Sequence, residues 1–264
     1  MSQPIPNVSH VLAVASGKGG VGKTTVTVNL ALALAMRGAR VGIFDGDIYG
    51  PNVPLMLGVR RKQGAEGWLP IGRAEKEPYI KPLDRYGLRV MSIGFLVGEA
   101  EAVTPDARFV GLIVTRTLKD TLWGELDYLL IDLPPGTGEP QQTVINTVQV
   151  DGVVVVTTPQ DLSLLDASRS LALYRKGGVP IIGIVENMSY MICPDCGHRI
   201  EPFHRSNREW GVQDETIEVL GRIPMDLAIS RGIDAGHPLV EANPDATEVA
   251  VFREIAERVV AKLG

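Results

Sequence analysis

Short apolar runs alternate along this chain with stretches whose apolar residues recur every three or four positions. The runs are Val11-Leu-Ala-Val-Ala15, Arg40-Val-Gly-Ile-Phe-Asp45, Leu88-Arg-Val-Met-Ser92, Tyr128-Leu-Leu-Ile-Asp132, Val153-Val-Val-Val-Thr157 and Ile181-Ile-Gly-Ile-Val185. Leu220-Gly-Arg-Ile223 is a shorter candidate. Continuous apolar runs, as opposed to alternating ones, mark strands covered on both faces. The helical pattern predicts helices from about Lys23 to Met36, with Gly38 as stop signal, and near 105–123, 139–148, 161–174 and 245–262. Helices between buried strands imply right-handed crossovers, hence an α/β fold with a mostly parallel sheet and helices on both faces.

Two segments break the rhythm. Residues 60–87, rich in Gly, Pro and charge, read as a surface excursion or edge hairpin. Residues 188–218 are polar, carry both cysteines and read as lying outside the sheet. With no internal repeat or low-complexity linker, one domain over 1–264 is the simplest organisation.

The net charge of −5 argues against a broad basic surface for nucleic acid. No apolar stretch is long enough to span a bilayer. The opening Met-Ser-Gln-Pro-Ile-Pro-Asn lacks the basic and apolar regions of a secretory signal. The expected compartment is the cytoplasm, with no membrane partner. There Cys193 and Cys196 are expected to be metal-binding or redox-active, not a structural disulfide.

Gly17, Lys18, Gly19, Gly20, Val21, Gly22, Lys23 and Thr24 satisfy G-x-x-x-x-G-K-[ST]. The segment follows a predicted strand and opens a predicted helix, the context a phosphate loop needs. Glycines let successive N–H groups turn around phosphate oxygens, and the helix N-terminus adds positive potential. Lys23 is expected at the β- and γ-phosphates, Thr24 at Mg²⁺, and Thr25 beside them at the nucleotide. Asp132, at a strand end, can hold Mg²⁺ through water. Asp45 and Asp47 would repel a phosphate unless Mg²⁺ or a proton intervenes.

The loop form Lys18-Gly-Gly-Val-Gly-Lys23-Thr resembles the deviant Walker A family, which includes MinD, ParA, the nitrogenase iron protein and the Mrp/ApbC cluster carriers. The resemblance implies that Lys18 reaches a partner subunit's nucleotide, hence a homodimer. It implies that Asp47 orients the attacking water, with Asp45 supporting magnesium and water. It places Asn187 at the adenine, with Pro224 and Asp226 in the segment forming the other wall. The reaction implied is slow ATP hydrolysis.

Cys193-Pro-Asp-Cys196 leaves three readings open. The pair joins His198 and His204 in a zinc knuckle, acts as a redox dithiol, or supplies half of a site completed by a second chain. Further blocks resemble the Mrp/ApbC/Nbp-type iron–sulfur carriers: Asp45-Gly-Asp-Ile-Tyr-Gly-Pro51, Val90-Met-Ser-Ile-Gly-Phe95, Leu126 through Gly138, Val156-Thr-Thr-Pro-Gln-Asp161, and Gly183-Ile-Val-Glu-Asn-Met-Ser-Tyr190 followed by the cysteine pair. This resemblance implies a [4Fe-4S] cluster shared between two subunits and passed to apoproteins under ATP control, with zinc possible in isolated protein. The chain departs from that pattern at Thr104-Pro-Asp-Ala-Arg108-Phe and at Phe203-His-Arg-Ser-Asn-Arg-Glu-Trp210. A MinD- or ParA-like positioning ATPase with a structural zinc is the alternative. Against it, Phe252, Ile255, Val259 and Leu263 recur as on a core-packing helix with a solvated face.

Overall fold

The computed structural model describes residues 2–59, 71–73, 78–95, 107–203, 211–212 and 215–264. The central sheet contains β1 (Val8–Ala15), β2 (Val41–Asp45), β3 (Leu83–Arg85), β4 (Leu88–Ser92), β5 (Leu126–Asp132), β6 (Gly152–Thr157), β7 (Ile181–Glu186) and β8 (Val219–Arg222). Their spatial order is β8-β7-β6-β1-β5-β2-β4-β3. All neighbours are parallel except the edge pair β3–β4. The apolar runs thus became the parallel strands, and β2 and β6 are buried at every position.

The helices are α1 (Lys23–Met36), α2 (Val53–Met56), α3 (Ala107–Asp120), α4 (Glu139–Thr147), α5 (Asp161–Lys176), α6 (Leu227–Asp234), α7 (Leu239–Ala242) and α8 (Thr247–Leu263). α1 is apolar around most of its circumference, as a helix enclosed on all sides must be. It lies against the sheet, α7 and α8. Its stop follows from Gly38, whose positive φ of 87° lets its N–H return to the Ala35 carbonyl. On α8, Phe252, Ile255 and Val259 are fully buried, so its apolar stripe is packed within the core. Among the described residues no helix is long and apolar enough to cross a membrane.

Within the segment 60–87, β3 folds back on β4 through Tyr86 and Gly87, both at positive φ as a tight hairpin requires. Ile71–Arg73 pairs antiparallel with Pro78–Ile80. Residues 60–70 and 74–77 lie outside the described residues, as do Thr104, Pro105, Asp106 and 204–210, including His204.

Strand order positions the site. β1 lies between β5 and β6, and β2 lies beyond β5. In register, Asp132 neighbours Val14 on one side and Asp45 on the other, and Asp45 neighbours Ser92. The glycine loop after β1 therefore emerges at the end of the sheet that also carries two acids, the carboxyl end where open α/β sheets bind ligands.

Candidate nucleotide site and cysteine hairpin

The loop between β1 and α1 needs its glycines for identifiable reasons. Gly20 and Gly22 both take φ of 80°, a region costly for residues bearing a Cβ. At Gly17 a Cβ would lie 2.1 Å from the Asp166 carbonyl carbon, so the loop sits directly on the α5 backbone. At Gly22 a Cβ would lie 2.2 Å from Asn187 Nδ2. That amide donates to the Val21 carbonyl at 2.8 Å, which fastens the end of β7 to the phosphate loop.

A cleft of about 210 Å³ opens above the loop. Lys18, Gly19, Gly20, Val21, Gly22, Lys23, Thr24, Thr25 and Asp47 line it. Ser16, Asn52, Met56 and Pro135 line it too; they were not anticipated from sequence. The cleft lining does not include Asp45, Asp132, Asn187, Pro224 or Asp226. Asp45 and Asp132 are fully buried behind the cleft. Asp226 caps α6, accepting the Ala228 N–H at 2.6 Å, and Pro224 is buried.

Asp132 is the hub of the buried polar cluster. Its Oδ2 accepts the Lys23 ammonium at 2.7 Å and the Thr24 hydroxyl at 2.7 Å. Its Oδ1 lies 2.7 Å from the hydroxyl of Thr27, a residue sequence reasoning missed. The available signal was spacing: Thr27 stands three positions after Thr24, on the same helix face. Lys23 also lies 4.0 Å from Asp47 Oδ2.

Asp45 is held by the segment that follows it and by β4. Oδ1 accepts the Asp47 N–H at 3.2 Å, while Oδ2 accepts the Val53 N–H at 3.2 Å and the Ser92 hydroxyl at 2.9 Å. Burial, and then the negative charge of Asp132, push its carboxyl up to about 8. Burial also raises Asp47, with Lys23 opposing the shift. Three acids thus share one buried lysine. Asp47 Oδ1 is buried without a hydrogen-bond partner in the structure. The Thr24 hydroxyl and the partnerless Asp47 Oδ1 are hard oxygen donors of the kind Mg²⁺ takes.

Lys18 is half-buried, and its ammonium donates to Gln160 Oε1 at 3.2 Å in the same chain. The loop after β5 is held by Gln141, whose amide donates to the Pro134 carbonyl at 2.5 Å.

The cysteines stand on a short hairpin, in which Met191–Ile192 pairs with Arg199–Ile200. Cys193 N–H donates to the His198 carbonyl and Gly197 N–H to the Cys193 carbonyl, both at 2.9 Å. Gly197 takes φ of 70° to close the turn. Cys193 is partly exposed and Cys196 exposed, and both are free thiols. The N–H groups of Cys196 and Asp195, with the Cys196 thiol, hydrogen-bond the Cys193 sulfur and hold its thiol below the usual range. That favours the thiolate, the metal-binding form. Among the described residues, no group of three or more His, Cys, Asp or Glu side chains is placed to hold a metal ion. The hairpin is anchored to the sheet edge: Ser189 N–H donates to the Ile223 carbonyl and Met225 N–H to the Tyr190 carbonyl.

Known proteins resemble this chain in sequence and fold. A family model described as the NUBPL iron-transfer P-loop NTPase of the ParA group matches residues 7–260. The iron–sulfur cluster carrier protein of Escherichia coli K12 is 41% identical over 263 residues, 99% of this chain and 69% of the relative. The iron–sulfur cluster transfer protein NUBPL of Mus musculus is 40% identical, covering 99% of this chain and 80% of the relative. Among solved structures, an ADP complex of a nucleotide-binding protein from Archaeoglobus fulgidus superposes with a TM-score of 0.71 at 34% identity, covering 90% of each chain. The cell-division ATPase MinD of Pyrococcus furiosus gives 0.68 at 28% identity, covering 97% of this chain and 100% of that one. Matched over nearly its whole length, the chain belongs to the NUBPL iron-transfer family of P-loop NTPases.

Proposed function

We propose that this protein is a cytoplasmic carrier that binds and hydrolyses ATP, holds a [4Fe-4S] cluster between two copies of the chain, and passes it from cluster donors to apoproteins. The observation that carries the reading is the exposed hairpin with two thiols and, among the described residues, no further ligand. A cubane cluster takes four thiolates. Two hairpins facing one another supply four.

The nucleotide site supports the ATP half of the reading. Gly17 through Thr25 cradle the phosphates, and Lys23 turns from Asp132 toward the β- and γ-oxygens. Thr24 would hold Mg²⁺, supported by Asp132 and Asp45; when bound, the ion would neutralise charge on the transferring phosphoryl group. Asp47, whose Oδ1 has no partner in the structure, accepts a hydrogen bond from the attacking water and orients it. Lys18 releases Gln160 and crosses to the nucleotide of the second copy. Asn187, with Pro224 and Asp226 opposite, contacts the base.

Anaerobic reconstitution with iron and sulfide tests the cluster half. Wild-type protein should gain a broad absorbance near roughly 400 nm, characteristic of thiolate-bound iron, and Cys193→Ala should not. Uptake of zinc alone would overturn the cluster reading. Phosphate release from Mg–ATP by wild type, lost in Lys23→Ala, tests the other half.

A further inference from the structure

The block Val90-Met-Ser-Ile-Gly-Phe95 has no role in the chemistry so far, yet its turn stands directly behind the Asp47 loop. Ser92 ends β4 in register with Asp45 and is completely buried. Its hydroxyl oxygen accepts the Gly94 N–H at 2.9 Å. Its single proton is donated to Asp45 Oδ2, also at 2.9 Å. The same carboxylate gathers the Asp47 and Val53 N–H groups, both at 3.2 Å, and so ties down both ends of the loop 47–53. Gly94 packs on that loop directly: a Cβ there would lie 2.9 Å from both Cβ and Cγ of Pro51. The turn therefore reaches the loop through the Ser92 hydrogen bond to Asp45, which holds both loop ends, and through a backbone-to-ring contact with no room for a methyl group.

We propose that Ser92 and Gly94 are positioning residues for ATP hydrolysis, fixing Asp45 and Pro51 so that the loop between them presents Asp47 to the cleft. This rests on the ATP-hydrolysing reading above. Neither residue lines the cleft. Their loss should therefore affect the chemical step, which depends on where Asp47 stands, and spare the grip on phosphates, which depends on residues 17–25. An angstrom of misplacement is enough to slow a reaction whose catalysis is positioning.

The test uses the full chain with Ser92→Ala, Ser92→Thr and Gly94→Ala. Steady-state phosphate release from Mg–ATP is measured beside calorimetric titration with ADP, whose stoichiometry confirms the folded fraction. The expected result is a kcat about tenfold lower in Ser92→Ala and Gly94→Ala, with ADP affinity within about twofold of wild type. Ser92→Thr, which keeps the hydroxyl, should recover most of the rate. Wild-type kcat in both Ser92→Ala and Gly94→Ala would overturn the inference alone. So would a loss of ADP affinity matching the loss of rate, since that marks general damage to the site. A wild-type protein that binds ADP but never hydrolyses Mg–ATP would instead overturn the reading on which the inference rests.

Discussion

Replacing Thr27 by Val isolates one bond of the buried cluster. The side chain is completely buried and nearly isosteric with Val, and the two residues have similar helix propensities. The hydroxyl lies 2.7 Å from Asp132 Oδ1 and 3.0 Å from the Lys23 carbonyl, and its one proton serves the closer, charged oxygen. Oδ2 keeps Lys23 and Thr24, so only the Oδ1 donor is lost. A hydrogen bond to a charged group contributes about 1.5–3 kcal/mol. For a chain of this size each kcal/mol moves the melting temperature by about 2–4 °C. Protein purified without nucleotide should therefore melt roughly 3–12 °C lower, and its urea midpoint should fall with unchanged slope. Introduced into Asp132→Asn, where the acceptor is uncharged, the same substitution should cost less than half as much. A melting temperature within about 1 °C of wild type, or an equal loss in both backgrounds, would refute the argument that Thr27 acts through Asp132.

Three further outcomes are expected. The raised Asp45 carboxyl keeps its proton in the folded state after the unfolded chain has lost it. The stability this contributes is complete below about 3.8 and is lost as pH rises through about 8, so urea midpoints should decline across that window and flatten in Asp45→Asn. Gly22→Ala places a Cβ 2.2 Å from Asn187 Nδ2 at a φ of 80°. The backbone strain alone costs about 1–2 kcal/mol, and calorimetry should show ADP binding weakened at least tenfold. Cys196→Ser should abolish the absorbance gained on reconstitution while phosphate release by the unloaded protein stays near wild type. Loss of both would place the cysteines inside the ATPase site.

Much of the architecture was legible because burial on both faces writes itself as uninterrupted Val, Ile and Leu. The strands around 153–157 and 181–186 needed nothing more. The four-residue helices α2 and α7 left no periodic trace, since one turn is too short to repeat a pattern. α6 had a sequence signal in Asp226 followed by Leu227-Ala-Ile, a cap before an apolar stripe; reading Asp226 only as a base contact hid it.

The phosphate loop was visible because its chemistry is local: eight consecutive residues supply the turn, the amides and the lysine. What lay behind it was not, because it depends on strand order. That Asp132 sits between Val14 and Asp45 follows only once β5 is inserted between β1 and β2, and Ser92 reaches Asp45 only because β4 lies beside β2. The Asn187 amide on the Val21 carbonyl spans 166 positions and could not be read from spacing. The cysteine pair lay between the two: the thiols were plain in the sequence, while the hairpin that presents them depends on the pairing of Met191–Ile192 with Arg199–Ile200.

Native mass spectrometry of anaerobically reconstituted protein bears most directly on the shared centre. The account predicts a species of two chains plus the mass of four irons and four sulfides, absent from Cys193→Ala. A cluster retained on single chains, or paired chains carrying zinc alone or no metal, would contradict it.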